Sequence, residues 1–193
     1  MKKDFYIFRH GQTDMNLTGR WQGQGFDYPL NETGRGQAQA LAQELKNSGI
    51  EVVYSSPLKR AVETGRAVAD LLRVPLITAD GLKEGRFGAA EGKTKAEIQA
   101  AFPDIAPAWQ SLEESDMDAR FPDGESKRDI QRRVLVAMRG IACESGETVI
   151  GVSAHSAVIR CFMLLFGLKL YTVPHGAPFH LICDDGAFSM PQP

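Results

Sequence analysis

Four consecutive large apolar residues, Phe5-Tyr6-Ile7-Phe8, give way at once to Arg9-His10-Gly11. So short and aromatic a run, with no polar alternation, predicts a strand buried on both faces, and the glycine just past its end lets the backbone turn sharply. The pattern recurs late in the chain, where Thr148-Val149-Ile150-Gly151-Val152 ends in Ser153-Ala154-His155-Ser156. Between the two lie periodic segments. Asn31 is a plausible N-cap for a helix with Ala38, Leu41, Ala42 and Leu45 on one stripe and Gly49 as its stop. Glu51-Val52-Val53-Tyr54 follows as a short strand. Ser56 then suits an N-cap and Pro57 the first helical position, predicting a helix to about Leu72 with Arg60 in or just past its first turn. Val74 to Thr78 predicts a further strand.

The second half continues this alternation after an interruption. Residues 85–122, with a short helix around Lys95 to Phe102 and prolines 103, 107 and 122, read as an excursion from the sheet of a kind that can serve as a lid. Trp109 within it is read as packing, and the acidic Glu113-Glu114-Ser115-Asp116 as a solvated face. Asp123-Gly124-Glu125-Ser126 opens a long helix with Ile130, Val134, Met138 and Ile141 on one stripe, ending near Gly146. The run Ala157 to Leu165 is apolar almost all round and predicts a buried helix. Leu181-Ile182-Cys183 is a candidate last strand. Strand, helix, strand in this order predicts an α/β fold with a parallel sheet. The chain's 193 residues, 43% of them hydrophobic, suit a single domain over 1–193.

Charge narrows the partners. A net charge of −2 argues against a general nucleic-acid or membrane-surface binder, either of which would need a basic face. Met1-Lys2-Lys3 is basic, but the apolar run after it is too short for a signal-peptide core or a membrane span, so a cytoplasmic location is expected. Cys143, Cys161 and Cys183 are odd in number and embedded in apolar stretches, which reads as reduced core residues. No C-x-x-C or H-E-x-x-H spacing occurs, so no metal is expected. His175 and His180, five apart, are more ordinary as a structural and a loop histidine than as metal ligands.

Candidate chemistry collects at strand ends, where open α/β sheets bind their ligands. Arg9-His10, Arg60, Glu84 in the glycine-rich loop Asp80 to Gly92, and His155 would bring two cations, two imidazoles and a carboxylate to one sheet edge. Taken singly, each has a plain alternative: Arg-His in solvent, Arg60 paired with Glu63, Glu84 as a surface carboxylate. Together they suit phosphoryl transfer, which asks the protein to position the reactants and stabilise charge on the phosphoryl oxygens. Guanidinium forks can clamp those oxygens, a neutral imidazole can attack phosphorus, and a carboxyl can protonate the leaving alkoxide and then activate water. Nothing in the scheme requires a metal or a cofactor.

The same residues resemble a known family. Arg9-His10-Gly11-Gln12-Thr13 with Asn16, Arg20-x-Gln22-Gly23, Ser55-Ser56-Pro57-Leu58-x-Arg60-Ala61-x-x-Thr64, Leu82-x-Glu84, Gly124-Glu125-Ser126 and His155 with Val158-Ile159-Arg160 look like the histidine phosphatase superfamily, the phosphoglycerate-mutase-like proteins. The resemblance implies a three-layer α/β/α sandwich with a mostly parallel central sheet. It implies His10 as the phosphate-accepting nucleophile, Arg9, Arg60 and His155 around the phosphoryl group, Glu84 as proton donor, and Asn16, Gln22 and Gly23 lining the phosphate loop. Ala90 stands where many relatives carry an aromatic residue and Ser156 where glycine is common. The expected partner is a small phosphorylated metabolite. Oligomeric state stays open, a homodimer included.

Four functional readings compete. Mutases of the family resemble one another in a longer excursion between the general acid and the Gly-Glu-Ser helix, and Gly85 to Asp123 looks short for that, which favours hydrolysis. A phosphate-recognition module that lost the reaction, and an interaction scaffold using the acidic patch, are the readings outside enzymology.

Overall fold

In the computed structural model, which describes residues 1–191, seven α-helices and six strands are assigned. Strand β1 is Lys3–Arg9 and is followed by the short helix α1, Asp14–Leu17. Helix α2 spans Glu32–Glu44, capped by the Asn31 side chain, which accepts from the Gly34 N–H. Strand β2 is Val52–Ser55, helix α3 Lys59–Leu72 and strand β3 Leu76–Thr78. Helices α4, Lys95–Ala101, and α5, Ile105–Gln110, occupy the predicted excursion. Helix α6 is Lys127–Glu144, strand β4 Val149–Ala154 and helix α7 Ser156–Leu164. Strands β5, Pro178–Asp184, and β6, Ala187–Ser189, close the chain.

The strands form one mixed sheet in the order β3-β2-β4-β1-β5-β6. The first four are mutually parallel, and β5 and β6 run antiparallel at the far edge. Phe5 and Ile7 of β1 pack with Ile130, Val134, Val158 and Phe162 of α6 and α7 on one face. Phe8 packs with Leu41, Leu45 and Val68 of the α2 and α3 layer on the other. The three-layer α/β/α arrangement expected from the resemblance is the one observed.

Register decides where the chemistry gathers. Phe8 pairs with Ser153 and Arg9 with Ala154, while Ser55 of β2 pairs with the same Ser153. The ladder continues past the strands, with His10 N–H donating to the Ala154 carbonyl at 3.0 Å and Ser56 N–H to the Ser153 carbonyl at 3.0 Å. His10, His155 and Ser56 therefore leave the sheet side by side. Strand β5 begins where antiparallel β1 ends, Phe8 opposite Pro178, and this brings the segment around His175 back to the same edge.

Several expectations are corrected. Helix α3 starts at Lys59, two residues later than predicted, and its N-cap position is Leu58. Ser56 is not its N-cap: its hydroxyl lies 2.7 Å from His155 Nε2 and accepts from the Leu58 N–H at 3.3 Å, ahead of the first helical residue, and Asp27 from a preceding loop accepts the Lys59 N–H at 2.7 Å. Arg60 does not pair with Glu63, whose carboxylate accepts from the Leu30 N–H. Helix α5 was not expected because Pro103 and Pro107 read as breaks. Pro107 sits in its third position, where a backbone N–H has no helical partner to lose. Strand β6 was also not expected, although Asp185-Gly186, both with positive φ, is a two-residue hairpin turn that the sequence spells out.

Candidate active site

Each predicted site residue is held at the carboxyl edge of the sheet by a local device. Past β1, the His10 ring is buried, 2% exposed, and its Nδ1 lies 2.6 Å from the Gly11 carbonyl. A carbonyl only accepts, so Nδ1 carries the proton and Nε2 keeps its lone pair. Gly11 N–H donates to Thr64 Oγ1 at 3.0 Å, and that hydroxyl donates to the Arg60 carbonyl in α3. A side chain at Gly11 would collide with the Gly34 carbonyl, so only glycine permits this turn against α2.

The loop after the turn is folded by a capping box. Asn16 Oδ1 accepts from both the Thr13 N–H and hydroxyl, which leaves its amide NH₂ as the end available to the cavity it lines. Further on, Trp21 N–H donates to the Lys93 carbonyl and Gly92 N–H to the Trp21 carbonyl, tying the Arg20 to Gly23 stretch against the glycine-rich loop. Gly23 has φ +55°, and a Cβ there would stand 1.9 Å from Glu91 Oε1. Glu91 in turn accepts from the N–H groups of Gln24, Gly25 and Phe87, clamping the two loops together.

Two guanidiniums flank His10. Arg60 is 1% exposed and donates to the Phe26 and Gly23 carbonyls. Arg9 donates to the Val173 carbonyl at 2.7 Å. Neither makes an ion pair with a carboxylate among the described residues, and the Nε of each is buried without a partner. Removing a guanidinium from water costs on the order of several kcal/mol unless an anion compensates it. Burial pushes Arg9 down to about 10 against the pull of Glu84, and lowers Arg60 against Glu84, Asp27 and Glu91. Burial, with Arg60 and Arg9 alongside, holds His10 well below the usual histidine range.

Glu84 enters from the loop after β3, 7% exposed, with Oε1 accepting from Gly85 N–H at 2.9 Å and Oε2 from Ala157 N–H at 3.4 Å. Its backbone carbonyl is held by Gln24 and Arg133, and Arg133 is paired with Glu125 at 2.9 Å. His155 is fully buried. Its Nε2 lies 2.7 Å from Ser56 Oγ, its ring is 5.1 Å from that of His10, and its Nδ1 has no partner. Burial first, then Arg60, His10 and Arg9, holds its pKa well below the ordinary value.

A cavity of about 210 Å³ opens on Arg9, His10, Asn16, Gln22, Gly23, Arg60 and Glu84. Seven of the eight predicted site residues thus share one wall system, and His155 stands immediately behind His10. The outer part of the cavity carries residues not expected at the site: Arg20, Trp21, Phe87, Trp109, Gln110 and Arg160. Trp109 is packing, as read, in edge contact with Trp21 and Phe87, and it also forms cavity wall. Lys127 fixes it by donating to the carbonyls of Ala108, Trp109 and Ser111. Arg160 and Thr64 lie inside the quoted sequence motifs, so their positions carried a signal that their residue types alone did not. Among the described residues no His, Cys, Asp or Glu cluster could hold a metal ion, and no helix is long and apolar enough to cross a membrane.

A mostly parallel α/β sheet with two strand-end histidines, flanking arginines and a carboxylate at its carboxyl edge is an arrangement suited to phosphoryl groups. The chain belongs to the histidine phosphatase superfamily, branch 1, whose model matches residues 5–180. It is 35% identical over 140 residues to the uncharacterized phosphatase PhoE of Bacillus subtilis, covering 70% of this chain and 71% of that one. It is 31% identical over 168 residues to the probable phosphoglycerate mutase GpmB of Proteus mirabilis, 86% and 76% of the two chains. Among solved structures, a mycobacterial glucosyl-3-phosphoglycerate phosphatase in complex with VO3 superposes with a TM-score of 0.83 at 27% identity, over 93% of this chain and 92% of that one. The family is one of phosphatases and mutase-like enzymes, and the matched relatives include both.

Proposed function

We propose that the protein is a phosphomonoesterase that hydrolyses small phosphate esters through a phosphohistidine on His10. The observation that carries this is a neutral imidazole with Nε2 free, set between two buried guanidiniums that have only carbonyls for partners. A phosphoryl group entering the cavity supplies the anion that Arg9 and Arg60 lack. Asn16 and Gln22 add polar contacts on its rim, and His155 supports the inner side.

In the first step His10 Nε2 attacks phosphorus, the N–P bond forms and the ester P–O bond breaks. The leaving alkoxide takes a proton from the Glu84 carboxyl. The Gly11 carbonyl, already on Nδ1–H, stabilises the positive charge that the ring acquires. In the second step water attacks phosphorus, gives its proton to the Glu84 carboxylate, and the N–P bond breaks to release phosphate. The guanidiniums supply the positive charge throughout, so the scheme calls for no metal or cofactor. The ligand is a small phosphorylated metabolite that enters the cavity by its phosphoryl group.

A mutase reading draws on the likeness to GpmB, named a probable phosphoglycerate mutase. One experiment separates the two. Release of inorganic phosphate from an aryl phosphate and a panel of metabolite monophosphates is measured with chelator present, beside phosphoglycerate interconversion and the His10→Ala variant. Chelator-resistant release that His10→Ala abolishes is expected. Interconversion faster than release from any ester would transfer the assignment to the mutase, and undiminished release by His10→Ala would remove His10 as nucleophile.

A further inference from the structure

The peptide linking His10 to Gly11 is held at both ends. Its N–H, on Gly11, donates to Thr64 Oγ1 at 3.0 Å, and its carbonyl, on His10, accepts from His175 Nδ1 at 2.7 Å. Because the partner is a carbonyl, Nδ1 of His175 is the protonated nitrogen. The next peptide, Gly11–Gln12, carries the Gly11 carbonyl that holds the His10 ring by Nδ1 and so keeps the proton off Nε2, and its N–H, on Gln12, donates to Gln37 Oε1 at 2.8 Å. The segment carrying His175 makes two further bonds to Arg9, the residue before the His10–Gly11 peptide. Val173 accepts from Arg9 Nη1 at 2.7 Å, and Gly176 N–H donates to the Arg9 carbonyl at 3.2 Å. The His175 ring also stands edge-on to the His10 ring, 5.6 Å between centroids.

We infer that His175 is a positioning residue for the reaction: its Nδ1–H locks the His10–Gly11 peptide and thereby fixes the tautomer and aim of the His10 ring. This rests on the reading of His10 as phosphoryl acceptor. His175 does not touch the reacting atoms. It acts from outside the cavity wall, through one hydrogen bond, on the peptide that precedes the one carrying the ring-holding Gly11 carbonyl. Loss of that bond leaves the Thr64 bond to hold this peptide, so that it can tilt and carry the His10 ring with it, and misplacement of a reacting group by about 1 Å is enough to lower a rate by about a hundredfold.

The donor, and not the ring, is what the role requires. His175→Asn puts an amide N–H where Nδ1 stands, whereas His175→Leu and His175→Phe fill the space with no donor; the two donorless variants guard against a packing failure in either. Two readouts are taken on the full chain. With an aryl phosphate, both donorless variants should lose roughly tenfold to a hundredfold in kcat with KM within about threefold, and His175→Asn should return to within about threefold of the parent. Ring ¹⁵N spectra, with His10 assigned by comparison with His10→Ala, should show His10 as the Nδ1–H tautomer in the parent and His175→Asn, and as a tautomer mixture in the donorless variants. Unchanged kcat and tautomer in a folded donorless variant, or an Asn variant as impaired as Leu, overturns the inference. If the parent protein hydrolyses no ester, the phosphatase reading fails, and the ring spectra still decide the role of His175.

Discussion

A histidine accepts a phosphoryl group only through an unprotonated ring nitrogen, so the proposed function depends on how a single proton is placed. Three local features place it on Nδ1 of His10: burial, two neighbouring guanidiniums that disfavour a second proton, and the Gly11 carbonyl at 2.6 Å. Glu84 lines the same cavity, with Oε1 on the Gly85 N–H and Oε2 on the Ala157 N–H. Its assigned work is to give a proton to an alkoxide, and that need depends on the leaving group. Glu84→Gln should therefore slow alkyl phosphates by about a hundredfold or more and aryl phosphates by less than about tenfold. Parallel kcat measurements on the two ester types check this, and equal slowing of both would make Glu84 a binding group instead.

At the scale of elements, parallel register and helix starts assemble what the residues then use. Helix α3 opens with Lys59-Arg60, two cations in the turn where the helix dipole favours anions. Asp27 answers this by capping the Lys59 N–H from outside the helix and by lying close enough to Arg60 to favour its charge. Asp27→Ala should cost about 1 kcal/mol of stability, the usual loss for removing a side-chain cap. Urea unfolding measures it, and an unchanged midpoint would show that the cap is carried elsewhere. Most of these elements were readable from periodicity, because strands buried on both faces and amphipathic helices each leave a plain pattern. Helix α5 and strand β6 were not read: a proline in a first turn looks like a break, and three residues of edge strand are too few to show a period.

The whole molecule has to bury its titratable groups in order to work, and this makes its stability depend on pH. His10, His155 and His175 all have folded pKa values below the unfolded value near 6.5. Below pH 6.5 the unfolded chain binds protons that the folded chain refuses, so stability is full above about pH 6.5 and falls as the solution is acidified below it. Each fully refused proton contributes up to about 1.4 kcal/mol per pH unit. Thermal or urea midpoints from pH 7.5 to 5 in phosphate-free buffer should fall accordingly, with a shallower slope in His10→Ala. A flat profile would mean that these imidazoles take up protons in the fold. The segment of α4 and α5 belongs to this scale too, since it joins Ile98, Trp109 and Phe121 to the main core and brings aromatic wall to the cavity.

The sequence by itself determined the mostly parallel α/β class and the strand-end and loop positions of Arg9-His10, Arg60, Glu84 and His155, because these follow from periods and spacings along the chain, and its resemblance to the family added Asn16, Gln22 and Gly23. Only the tertiary structure decided which partner each polar group takes. Nothing local to Ser56 says that its hydroxyl turns to His155, 99 residues away, and nothing local to His175 says that it meets the His10 carbonyl, 165 residues away. Such contacts arise from sheet order and register, which depend on the packing of both helical layers at once. That is why a histidine expected to be an ordinary structural residue sits against the His10 carbonyl.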